Sequence, residues 1–206
     1  MVVKDYVHFS ALILAIINGL ILFWRLKRDR PNLKVAPIEP GRFQWWFALP
    51  GRELNGNPTR RFGFLAFVRI TNRGLRDVGL DTWLLKIKTK GGEKLKLLPT
   101  SIPEPRMRVA DELDEIRYYP VLGERTDRFD GNTLVKSGMS ISGMAYYIAE
   151  VYGSHDWDVP VAEDRTVEAK FNLKDVFDNE TSCKINFSEV SLERAEELVP
   201  GITRIG

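Results

Sequence analysis

The 206-residue sequence holds one cysteine, Cys183, and two histidines, His8 and His155. A single thiol excludes an intramolecular disulfide, the staple on which small domains of oxidising compartments depend. With His8 inside an apolar N-terminal run, any chemistry that needs imidazole falls to His155. Its segment "SHDWD" sets Ser154, His155 and Asp156 side by side, but neighbours on an extended chain point to opposite faces, so they form no hydrolase triad among themselves. A metal site on His155, Asp156 and Asp158 needs ligands from elsewhere, such as Glu163 or Asp164, and a solvated loop is the better account. The carboxylates of Asp111 to Glu115 and of Gly123 to Asn132 lack calcium-loop spacing and read as surface charge. No phosphate-binding glycine loop, internal repeat or low-complexity run is present. The expectation is a non-enzyme without cofactor or metal.

What the sequence does have is an N-terminal apolar run, "VHFSALILAIINGLILFW", Val7 to Trp24, bracketed by Tyr6 and Trp24. Eighteen helical residues reach about 27 Å, close to the ~30 Å of a hydrocarbon core, and Arg25 and Lys27 can snorkel to the interface. "FWRLKRDR" stands where a cleaved signal peptide has its small-residue site. The reading is a transmembrane anchor over 1–26. Lys4 and Asp5 precede it, whereas Arg25, Lys27, Arg28, Arg30 and Lys34 follow it against Asp29 alone. The positive-inside rule then puts the N-terminus out and the remaining chain in the cytoplasm, with Arg25, Lys27, Arg28 and Arg30 fixing topology and meeting anionic headgroups. Ala11, Ala15 and Gly19 recur every four residues beside Asn18, a face on which a second helix can pack, so a homo-oligomer through the span is expected.

Charge is graded along the chain: residues 1–34 carry net +4, residues 35–110 net +8 and residues 111–206 net −10. The sum beyond residue 34 is slightly negative, which argues against a nucleic-acid binder, although the basic first half suits an anionic leaflet. A tether is expected over 27–41, stiffened by Pro31, Pro37 and Pro40. Its "PIEPGR" fits the basic-flanked PxxP pattern of SH3-type ligands, and a linker is the stronger reading.

Beyond the tether the hydrophobic period is two. "TVEAKFNLK" and "SCKINFS" alternate cleanly, "DTWLLKIK" puts Trp83, Leu85 and Ile87 on one face, and "EKLKLL", "FGFLAFVRIT", "MSISGMAYYIAEV" and "RFQWWFAL" add four more candidate strands. "FGFLAFVRIT" is apolar on both faces, as a central strand is. Two stretches have helical spacing, "VADELDEI" and "SLERAEELV", the second with Ser191 as N-cap. Seven strands joined by turns predict an all-β, antiparallel β-sandwich over 42–190, with an irregular excursion at 99–132 and a short C-terminal helix and tail at 191–206.

The strand–turn–strand unit "FVRITNRGLRDVGLDTWLLKI", with its inward Trp, and "LVKSGMSISGMAYYI" resemble the immunoglobulin-like modules that many membrane proteins carry behind a single span. The likeness is one of pattern, covers residues 42–188 and lacks the paired cysteines of antibody-type domains. It implies a fold and no activity.

The functional expectation is a single-pass membrane-anchored, non-enzymatic module that meets a protein partner at the cytoplasmic membrane face. Trp45 and Trp46, on opposite faces of one strand, and Tyr118 and Tyr119, in the long excursion, are the candidate interaction surface. The alternatives are an enzyme or small-ligand receptor with a carboxylate-lined site in 99–132, or an extracytoplasmic envelope domain. Cys183 falls on the apolar face of its strand and reads as an inert core thiol.

Overall fold

Period-two patterning becomes strand pairing from Leu33 onward in the computed structural model, which describes residues 2–100, 106–110, 116–120, 122, 133–152 and 159–204. Helix α1 covers Val2–Arg28. Strands β1 (Leu33–Pro37), β2 (Trp45–Leu49) and the short β3 (Glu53–Leu54) lead to β4 (Asn57–Asn72), and β5 (Val78–Lys88), β6 (Lys94–Leu97) and β7 (Pro99–Thr100) follow. A separate hairpin pairs β8 (Arg106–Ala110) with β9 (Ile116–Pro120). Then come β10 (Thr133–Val135), β11 (Ser140–Tyr152), β12 (Thr166–Asp175) and β13 (Glu180–Glu189), before α2 (Leu192–Leu198) and a 3-10 turn at Ile202–Arg204.

The main sheet runs β10-β5-β12-β13-β2-β4-β11-β7, with β1 and β3 also on β4 and β6 also on β5. Only Leu98 separates β6 from β7, and one pairs with β5 while the other pairs with β11. They draw the two ends of the sheet together into a nearly closed barrel. β13 joins β2 in parallel, through Ser188↔Trp45 and Glu189↔Trp46. These two features overturn the antiparallel immunoglobulin-like sandwich. The cause is the length of β4: its 16 residues pair with β1 and β2 in tandem along one edge and with β11 along the other. A strand that long in a twisted sheet carries its neighbours around a core instead of ending in an open edge.

β4 is apolar on both faces because it borders two cores. Phe64, Ala66, Val68 and Ile70 point into the barrel, against Leu85, Ile87, Phe171, Ile185 and Phe187. Leu65 and Phe67 point outward, where Phe43, Trp45, Phe47, Met144 and Tyr146 cover them together with Ala195 and Leu198 of α2. Ser191 starts α2, its Oγ accepting the Arg194 N–H at 3.2 Å. Gly63 has no side chain because a Cβ there would meet the Phe47 ring at 2.5 Å, and the Phe47 and Tyr146 rings stack with centroids 6.2 Å apart.

Two local expectations change. The stiff tether shortens: Leu33–Pro37 is a strand in register from Leu33↔Asn72 to Pro37↔Val68, leaving Asp29–Asn32 as the connection to α1. The prolines did not prevent this, since Pro37 stands at the end of its strand. In "VADELDEI", Val109 and Ala110 belong to β8 and Ile116 to β9, and residues 111–115 lie outside the described residues. Within α1, Ser10–Lys27 has a mean hydropathy of 1.6 and no buried residue, so the helix is long and apolar enough to cross a membrane.

Candidate functional site

Inward residues of β5, β6, β12 and β13 are apolar, so alternation sends the residues between them to the outer face. Strand pairing then decides which of these stand side by side. Lys96 of β6 lies opposite Lys86 of β5, Lys86 opposite Lys170 of β12, and Lys170 opposite Lys184 of β13. Four lysines, one per strand, form a straight row across the sheet. With strands ~4.8 Å apart the row is about 14 Å long. Lys88 and Lys94 make a further directly opposed pair at one end.

These six lysines line an open groove of about 450 Å³, floored by Ile87 and Ala169, with Glu168 the single carboxylate among its lining residues. Glu168 meets Lys184 at 3.1 Å, with both side chains largely in water, a contact of little energetic weight. Lys86 is half-buried and the other five lysines are exposed. An adjoining groove of about 400 Å³ continues past Glu168 and Lys184 to Asn186, Ser188, Pro37, Pro40 and Gly41, so part of the "PIEPGR" segment borders the basic surface. Like charges set directly opposite on a sheet repel, at about 0.2–1 kcal/mol per pair. A row of three such pairs is an arrangement that an anionic ligand would relieve.

Of the residues singled out from the sequence, Trp45 and Trp46 are buried, at 8% and 6% exposure. Both faces of β2 are covered. Trp45 lies under α2 in the outer core, and Trp46 lies in the barrel, where its Nε1–H donates to the Arg165 carbonyl at 2.9 Å. Tyr118 and Tyr119 lie in β9, and their side chains fall outside the described residues. His155, Asp156, Asp158 and the acidic stretches 111–115 and 123–132 also fall outside them. Among the described residues no group of three or more His, Cys, Asp or Glu side chains could hold a metal ion. Asp164 instead accepts from the Thr166 N–H and Oγ–H.

Cys183 packs half-buried against the barrel core, and burial pushes its thiol up to about 11. Ala11, Ala15, Asn18 and Gly19 are exposed along α1, and nothing lies within 4 Å of a Cβ built on Gly19. Arg25, Lys27 and Arg28 form the last turn of α1, and Arg30 follows in the connection. The lysine row escaped sequence reasoning because each lysine alone is an ordinary outward residue of an alternating strand.

No family model and no curated protein matches the sequence. Among solved structures, the structural-genomics target SoR45 aligns at 8% identity with a TM-score of 0.29, over 78% of this chain and 88% of its own. A putative ApaA protein from Bordetella pertussis aligns at 10% identity with a TM-score of 0.30, over 78% and 96%. At these scores neither bears on fold or function.

Proposed function

We propose that this chain is a single-pass, membrane-anchored and non-enzymatic interaction module, whose barrel stands at the cytoplasmic face and offers its lysine row to an acidic segment of a protein partner. The observation that carries this reading is the register Lys96–Lys86–Lys170–Lys184. An extended acidic segment laid along that row places every second side chain about 6.8 Å apart, so two or three carboxylates face the four ammonium groups. The anchor is supported by the uncovered apolar surface of α1, and the orientation by Arg25, Lys27, Arg28 and Arg30 at one end of it.

The test uses the full-length protein in nanodiscs of neutral lipid and a glutamate-rich peptide. Binding is expected to weaken as salt rises, and to fall several-fold in the double variant Lys86→Glu/Lys170→Glu. Equal binding by the two proteins would overturn the assignment of this face. Protease added outside intact cells is expected to spare residues 42–206, and cleavage there would overturn the orientation.

A further inference from the structure

Outside α1, seven large apolar side chains are exposed among the described residues: Leu75, Leu98, Leu134, Met139, Val161, Val176 and Phe177. Five of the seven gather at one end of the barrel. Leu75 sits in the β4–β5 turn, Met139 in the β10–β11 turn, Val176 and Phe177 in the β12–β13 turn, and Leu134 opposite Gly79 at the start of β5. This is the end that receives α1. Arg73 N–H donates to the Asn32 carbonyl at 2.7 Å, and a Cβ on Gly74 would meet the Asn32 nitrogen at 2.8 Å, so the chain arriving from α1 packs directly on the β4–β5 turn.

We propose that this end of the barrel is a lipid-contacting surface, with Leu75, Met139, Val176 and Phe177 seated in the interfacial layer of an anionic phospholipid leaflet. The proposal rests on the reading of α1 as a membrane span. Given that span, distance leaves little freedom: Asp29–Asn32 reaches at most about 14 Å when fully extended. The turns at this end then stand at headgroup level.

The apolar tips are held outward by polar contacts behind them. Asp175 is buried, and its Oδ1 accepts the N–H groups of Phe177 and Asn179, both at 2.9 Å. Asp178 takes a left-handed conformation, φ 65°, which closes a three-residue turn with Phe177 at its tip. Buried Asn72 donates to the carbonyls of Arg76 and Val135 and accepts the Gly74 N–H, and Ser137 donates to Gly74 O and to Asp77. These bonds tie the β4–β5 and β10–β11 turns together and leave Leu75 and Met139 in solvent.

The charges around the tips suit phosphates. Arg30, Arg73, Arg76 and Lys136 are exposed at this end. The carboxylates nearby are Asp29, Asp77, which accepts from Ser137 N–H, and Asp178, which pairs with Lys174 at 2.6 Å, and, one residue further along the strands, Asp81 and Glu180, whose charges also reach Lys174. Apolar tips inside a cationic rim, beside the point where a span emerges, match an anionic lipid surface in both hydrophobicity and charge. At the opposite end the β5–β6 turn carries Lys90, Gly91, Gly92 and Glu93 instead.

The test is depth-dependent quenching in the full-length protein, carrying Cys183→Ser and one fluorophore-labelled cysteine, in vesicles of phosphatidylcholine and phosphatidylserine. The labelled positions are Leu75→Cys, Phe177→Cys, Leu14→Cys within the span and Lys90→Cys at the opposite end. Shallow spin-labelled lipid is expected to quench positions 75 and 177 several-fold more than position 90, and deep spin-labelled lipid to quench position 14. Quenching at 14 with 75 and 177 no different from 90 would overturn this inference and leave the anchor standing. Absence of quenching at 14 would overturn the anchor and this inference with it. The unmodified protein gives a check free of substitutions: amides of residues 74–77 and 176–178 are expected to exchange several-fold more slowly in these vesicles than in pure phosphatidylcholine. Equal rates would overturn the part assigned to the cationic rim.

Discussion

On the outer face of β5, β6, β12 and β13 the side chains that mark the surface are lysines, with Glu168 among them, brought into line by strand register. At the end that receives α1 they are apolar tips on three separate turns, each braced by side-chain-to-backbone hydrogen bonds. Lys86 is placed by the ladder on both sides of it and by the packing of Leu85 and Ile87 beneath. Phe177 is placed by one carboxylate, that of Asp175. A surface made by register is spread over many backbone bonds, whereas a surface made by turns depends on a few polar side chains, and single substitutions separate the two.

The largest effect is expected from Asp175→Ala, which leaves the Phe177 and Asn179 N–H groups without their acceptor. It should cost about 2–3 kcal/mol in chemical denaturation and leave glutamate-peptide binding to the lysine row unchanged. A loss below about 0.5 kcal/mol would show that the turn is held otherwise. Gly74→Val comes next, at about 1–3 kcal/mol, because the added side chain runs into the backbone of Arg30, Pro31 and Asn32. The same destabilisation in a chain cut after α1 and before Leu33 would mean that the packing of the connection is not its source.

Lys170→Glu is expected to act in the opposite direction on stability. Lys170 stands between Lys86 and Lys184, so reversing its charge turns two repulsive pairs into attractive ones and should stabilise by about 0.5–1 kcal/mol at low salt while weakening peptide binding. A variant that is less stable than the parent would break the register argument. The smallest effect concerns Cys183, next to Lys184 but on the inner side of β13. With its thiol pushed up to about 11, alkylation should be slow at neutral pH and rise about tenfold per pH unit until the thiolate dominates. Rapid modification of the folded protein at neutral pH would shift β13 by one residue and send Lys184 inward.

The sequence carried the strands well and their assembly poorly. All seven segments named from the sequence appear as strands, because each has at least one apolar face that must be buried, and those of β2, β4 and β11 have two. β1 was hidden by the prolines around it, and its partner is 35 residues away at Ile70. The inward positions of β5 also change parity, from Val78 and Leu80 to Leu85 and Ile87, at the register shift opposite Lys174 and Asp175. A strict alternation rule misses such a bulge. Closure and the parallel β13–β2 contact depend on pairing partners far apart in sequence, which no local pattern encodes. The candidate site is illegible for the same reason: Lys96, Lys86, Lys170 and Lys184 belong to one row only after three strand registers are known. The exposed Val176 and Phe177 were visible in "KDVFDNET", but their shared end with Leu75 and Met139 was not.

The two-residue parallel contact between β2 and β13 joins strands whose paired residues, Trp45 and Ser188, are 143 positions apart in sequence. It sets a clock for biogenesis. At roughly 5–20 residues per second, about 8 to 32 seconds separate the synthesis of Arg28 from that of Glu189. Through that interval β4 is made and its inner apolar edge has no β12–β13 hairpin to face, so the growing chain is open to chaperones and to mispairing until its last strand leaves the ribosome. Ribosome-bound chains truncated before β12 should therefore be cleaved readily by added protease, and chains extended past α2 should resist it. Fast acquisition of resistance by the shorter chains would mean that β1, β2, β4 and β5 are stable without closure.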